Sequence, residues 1–89
     1  MRHAARKDAN HAEIVEALRT AGAYVWDIEL PVDLLVGYKG KTVLMELKTP
    51  RGKWTDLQKA FMLSWPGGTV ATVRDIEGAL RVLKTMENE

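Results

Sequence analysis

The sequence predicts a single α/β domain over residues 1–89, a small mixed sheet flanked by helices, in the order α-β-β-β-α-β-α. Three observations carry this. Eighty-nine residues is one domain's length. An apolar fraction of 46% with 28% charged residues is ordinary for a soluble globular chain. Segments with a helical apolar period alternate with short β-branched or alternating runs, and glycine or proline punctuates them. There is no internal repeat, low-complexity stretch or linker.

Asp8 is a good N-cap for a first helix over residues 9–21, with Ile14, Val15, Leu18 and Ala21 as its buried stripe. Gly22 follows as the C′ glycine. At about 100° per residue, His11 projects into that stripe and Asn10 lies at its edge, while Glu13 and Glu16 point away. Residues 23–30 alternate as a first strand, with Tyr24, Trp26 and Ile28 on one face and Val25, Asp27 and Glu29 on the other. Pro31 ends it or keeps it at an edge.

Residues 32–36 form a nearly continuous apolar run, the pattern of a strand covered on both faces. A turn at 37–40 leads to a third strand over 41–48, with Val43, Met45 and Leu47 on one side and Thr42, Leu44, Glu46 and Lys48 on the other. Pro50 closes that strand within the loop 49–53. Thr55-Asp56-Leu57-Gln58 matches a capping box and opens a second helix to about Ser64, with Leu57, Ala60, Phe61 and Ser64 on one face. Residues 65–68 break it, 69–73 are a strand by β-branched content, and Asp75 caps a last helix through Met86. Its stripe is Ile76, Ala79, Leu80 and Leu83.

Several function classes drop out. Without cysteine there are no disulfides, thiolate zinc sites or iron–sulfur clusters, and a reducing cytoplasm fits. No apolar run approaches the ~20 residues of a membrane span. The polar N-terminus has no apolar core of a secretory signal. A net charge of +1 is weak for affinity built on phosphate contacts alone. Nucleic-acid binding would need a local patch or a metal-centred site. Arg2, Arg6 and Lys7 form a one-sign arm that is either solvated or phosphate-contacting.

Three charged residues, Asp33, Glu46 and Lys48, stand in the apolar stretch 31–48. If Lys39-Gly40 is a two-residue hairpin turn, Tyr38 pairs with Lys41 and Asp33 falls directly opposite Glu46. Directly opposed Cβ atoms lie about 4.5–5.5 Å apart on one face, and Lys48 follows on the same face. Two facing carboxylates repel unless a cation lies between them, and Mg²⁺ takes one or two carboxylates plus waters and phosphate oxygens. The Leu47 carbonyl could add an oxygen. Such a cation lowers the pKa of bound water and neutralises transition-state charge, and Lys48 could orient the water or offset the phosphate's charge. The plainer reading is a strand-end Asp33 and an exposed Glu46–Lys48 ion pair.

Pro31-Val32-Asp33 followed by Glu46-Leu47-Lys48 resembles the PD-(D/E)XK nuclease superfamily. The element order is similar to its restriction-endonuclease-like αβββαβ core with one added helix. Within it, the stretch 34–38 and the small size look closest to phage-type VRR-NUC nucleases and Holliday-junction resolvases. The resemblance implies a Mg²⁺- or Mn²⁺-dependent DNA endonuclease, acting on branched DNA and working as a homodimer. It implies a cytoplasmic setting, in the host cell if phage- or prophage-encoded. Catalysis would fall to Asp33, Glu46, Lys48 and Gln58, Gln58 also being explained by the capping box. Asp33, Glu46 and the Leu47 carbonyl would hold the metal. His11 stands where resolvases place a first-helix glutamate, so it either replaces that ligand or is an ordinary inward histidine; Glu13 is the alternative ligand. Arg51, Lys53 and Lys59, with Arg6 and Lys7, would contact DNA. Trp54 either stacks on a base or packs. The rival expectations are a DNA-binding domain of the same fold with impaired catalysis, and a phage accessory interaction domain.

Overall fold

The computed structural model describes residues 10–88. Asp8, Arg2, Arg6 and Lys7 lie outside the described residues. The expected order is found: α1 (His11–Thr20), β1 (Tyr24–Asp27), β2 (Leu34–Tyr38), β3 (Lys41–Leu47), α2 (Asp56–Ser64), β4 (Val70–Val73) and α3 (Ile76–Glu87). The strands form one sheet in the order β1-β2-β3-β4. β1, β2 and β3 are antiparallel neighbours, and β4 runs parallel to β3, a pairing that needs a crossover such as the one through α2.

Local chemistry fixes the boundaries. α1 begins at Asn10 and ends in a Schellman motif, with Gly22 N–H on the Arg19 carbonyl and Ala23 N–H on that of Leu18. Gly22 takes φ +104, which a Cβ would disfavour. The hairpin turn has Lys39 at φ 54 and Gly40 at φ 80. Two positive values in succession mark a type I′ turn, whose twist matches the flanking strands. The ladder then runs from Tyr38↔Lys41 to Leu34↔Met45, the register expected from a two-residue turn.

Ile14 and Leu18 of α1 and Ala79, Leu83 and Met86 of α3 pack on one sheet face against Val25, Leu34, Val36, Val43, Met45, Leu47 and Val73. Three expectations change here. β1 is shorter than 23–30; of its two faces it buries the one with Val25 and leaves Tyr24 and Trp26 exposed. Its end is set at residues 28–29, where Ile28 and Glu29 both donate to the Asp33 carbonyl and Glu29 adopts φ 71. β2 is covered on one face only: Leu34, Val36 and Tyr38 are buried and Leu35 is exposed. The cause is α2, which buries none of its own residues and does not roof the second face as a core helix would. Leu57, Ala60 and Ser64 are exposed and Phe61 is half-buried. In α3, Ala79 and Leu83 are buried as expected, but Leu80 is exposed and Met86 takes its place. Among the described residues no helix is long and apolar enough to cross a membrane.

Candidate active site

One ladder step beyond Leu34↔Met45 lie Asp33 and Glu46, on the sheet face opposite α1 and α3. Asp33 Oδ2 accepts a hydrogen bond from the Leu47 N–H at 2.8 Å, which fixes its carboxyl beside the end of β3. Glu46 is 3% exposed. Its Oε2 lies 3.3 Å from Lys48 Nζ and accepts from the Gln58 amide. Its Oε1 is buried with no hydrogen-bond partner. Burial pushes the Glu46 carboxyl up to about 7, the negative Asp33 beside it adds to the rise, and Lys48 opposes it.

Gln58 reaches this site from the first turn of α2. Its backbone N–H donates to the Thr55 hydroxyl at 3.2 Å, and its Oε1 accepts from the Thr55 N–H at 2.9 Å. The capping box is thus complete, and the amide nitrogen is still available for Glu46. The capping-box reading of Gln58 holds, and the same side chain also reaches Glu46.

A divalent cation fits this donor set. Oε2 is held by two donors, Oε1 has no hydrogen-bond partner, and a second carboxylate, Asp33, lies beside the group. Lys48 N–H bonds to the Val73 carbonyl, so strand alternation turns the Leu47 carbonyl the other way, to the side of Asp33. Two carboxylates and a carbonyl, with water and phosphate oxygens, are what Mg²⁺ accepts. Among the described residues no three or more His, Cys, Asp or Glu side chains gather into a metal-holding group. His11 therefore does not complete the site. It is buried, as expected, but its Nε2 lies 2.9 Å from Asp27 Oδ2. Asp27 pairs with Leu34, which puts it on the α1 face, away from Glu46. The geometry of β1 thus supplies His11 with a nearer partner than the acid pair. Glu13 is exposed.

Arg51, Lys53 and Lys59 are exposed and Trp54 is half-buried. Arg6 and Lys7 lie outside the described residues. Two site-end residues escaped the sequence reading. Asn10 Nδ2 donates to the carbonyls of Arg74 at 2.8 Å and Lys48 at 3.4 Å. Arg74 Nη1 donates to the carbonyls of Thr49 and Gly52, both at 2.8 Å, and Pro50 at 3.3 Å. The available signal was position: an arginine just past a strand that runs parallel to the one ending in Glu46-Leu47-Lys48.

No protein-family profile, curated protein or solved structure matches the chain.

Proposed function

We propose that the protein is a metal-dependent DNA endonuclease of the PD-(D/E)XK kind, hydrolysing phosphodiester bonds in branched DNA of the Holliday-junction or flap type. The observation that carries this reading is buried Glu46 facing half-buried Asp33, with one Glu46 oxygen bare and the other held by Lys48 and Gln58. Such an arrangement is costly unless something positive is taken up. Asp33, Glu46 and the Leu47 carbonyl would hold Mg²⁺ or Mn²⁺. Once bound, that ion supplies a more acidic water and charge neutralisation at the phosphate. Lys48 favours the ionised state of Glu46 and stands where it can orient the attacking water or offset phosphate charge. Gln58 holds the Glu46 carboxylate in one orientation. A homodimer would present two such sites to a two-fold symmetric junction. The setting would be cytoplasmic, in the host cell if the chain is phage- or prophage-encoded.

The test is a cleavage panel of four-way junction, flap, splayed arm and plain duplex, each with Mg²⁺ and with Mn²⁺. Wild type cuts at least one and Glu46→Ala cuts none. If wild type cuts nothing with either ion, the enzyme reading is lost. The pairing of His11 with Asp27 leaves the acid pair without a third side-chain ligand, which favours a second reading, a DNA-binding domain of this fold with impaired catalysis. Binding without cutting on the same panel is its signature.

A further inference from the structure

Arg74 follows β4, and the parallel register sets Val73 level with Leu47, so Arg74 stands level with Lys48. From there a single guanidinium nitrogen serves three carbonyls in the four residues after Lys48. The same segment closes on itself, with Gly52 N–H on the Thr49 carbonyl at 2.9 Å. It is wound so tightly that a Cβ on Gly52 would sit 3.2 Å from Thr49 Oγ1 and 3.3 Å from Thr49 N. Asn10 braces the arrangement from α1 through the carbonyls of Arg74 and Lys48. Five hydrogen bonds from two side chains therefore converge on the ends of β3 and β4. The segment they hold carries exposed Arg51 and leads into exposed Lys53. With its carbonyls drawn onto Arg74, the loop keeps one shape and presents its cations from a fixed place beside the acid pair.

We propose that Arg74 is a positioning residue that sets the 49–52 loop for contact with DNA phosphates, with Asn10 as its brace. This rests on the DNA reading above but not on catalysis. The experiment measures binding of the full chain to a fluorescein-labelled four-way DNA junction by anisotropy, in Ca²⁺, over a salt series. Melting curves and Mg²⁺-dependent cleavage are recorded alongside. Arg74→Met raises Kd on the order of tenfold and lowers the salt slope by about 1–2, the signature of lost phosphate contacts. The pair Arg51→Ala and Lys53→Ala does the same, and adding Arg74→Met to that pair costs little more, because Arg74 acts through the loop. Arg74→Lys, which keeps a cationic donor, recovers much of the binding. A lowered melting temperature with wild-type Kd and salt slope would make Arg74 fold cement only and overturn the proposal, as would additive losses in the triple variant. Should Arg74→Met not fold, Asn10→Ala decides: a raised Kd with a smaller salt slope supports the proposal and an unchanged one overturns it. A wild type that binds but does not cut ends the nuclease reading and leaves this one standing. No salt-dependent binding by wild type ends both.

Discussion

The Gln58 side-chain amide donates to Glu46 Oε2 while its oxygen caps the Thr55 N–H. One side chain thus ties the first turn of α2 to the end of β3, although α2 buries nothing of its own. The two tasks separate by substitution. Gln58→Glu keeps a capping-box residue at N3 but sets a third carboxylate against Glu46. Gln58→Ala removes both side-chain bonds, and the one lost at the cap costs roughly 1 kcal/mol. Gln58→Glu is expected to keep its helix content by circular dichroism yet lose DNA cleavage at least as severely as Gln58→Ala. Wild-type cleavage by Gln58→Glu would show that the tie to Glu46 does not matter.

Glu46 gives the metal-free protein a definite pH dependence. Its carboxyl is raised from 4.5 to about 7, first by burial and then by Asp33. Across that window the folded chain binds a proton that the unfolded chain has released, so stability falls as pH rises. The loss is roughly 3 kcal/mol at most, at about 1.4 kcal/mol for each pH unit. Urea unfolding at about pH 5 and about pH 8 measures it. Glu46→Gln is expected to flatten the profile. Mg²⁺ restores stability at the higher pH in wild type alone, because it binds the ionised pair. A wild-type profile as flat as that of Glu46→Gln would contradict the buried, charge-opposed setting of this residue.

Much of the sheet was legible because one local signal fixed it. Lys39-Gly40 suits a type I′ turn, and that turn sets the pairing of every residue back to Leu34. Capping residues likewise placed α2 and α3, since Thr55 and Asp75 both accept from their helices. Which face a strand buries was less legible. Tyr24-Val25-Trp26-Asp27 alternates equally well either way, and only the packing of α1 selects Val25. Leu34-Leu35-Val36 resembles a doubly covered strand because apolar content does not reveal that α2 leaves Leu35 open. His11 was correctly turned inward, but its partner depends on where β1 ends, which helical periodicity does not contain.

Asp33 holds a charge and a backbone hydrogen bond, and these come apart. In Asp33→Asn the amide oxygen can still accept from the Leu47 N–H, while the repulsion on Glu46 disappears. In Asp33→Ala that N–H loses its acceptor, at a cost of about 1–3 kcal/mol. Both variants are expected to lose Mg²⁺-dependent cleavage, but only Asp33→Ala loses stability in denaturant titrations at neutral pH. Equal destabilisation by the two would mean that the Leu47 contact contributes little.

The His11–Asp27 pair decides whether the first helix serves the fold or the chemistry. His11 Nε2 and Asp27 Oδ2 are 2.9 Å apart, with the His11 side chain 9% exposed and that of Asp27 33% exposed. The pair joins the start of α1 to the end of β1, on the face opposite Glu46. Removing the buried imidazole forfeits packing and a hydrogen bond, so His11→Ala is expected to cost about 1–3 kcal/mol. The double-mutant cycle with Asp27→Ala should return a coupling of about 1 kcal/mol, since residues in direct contact do not add. Neither change should alter the Mg²⁺ concentration for half-maximal cleavage, measured well below the melting temperature of the weaker variant. A rise in that concentration for His11→Ala, with stability little changed, would instead make the imidazole a participant at the acid pair, in the place where the resolvase resemblance expects a glutamate.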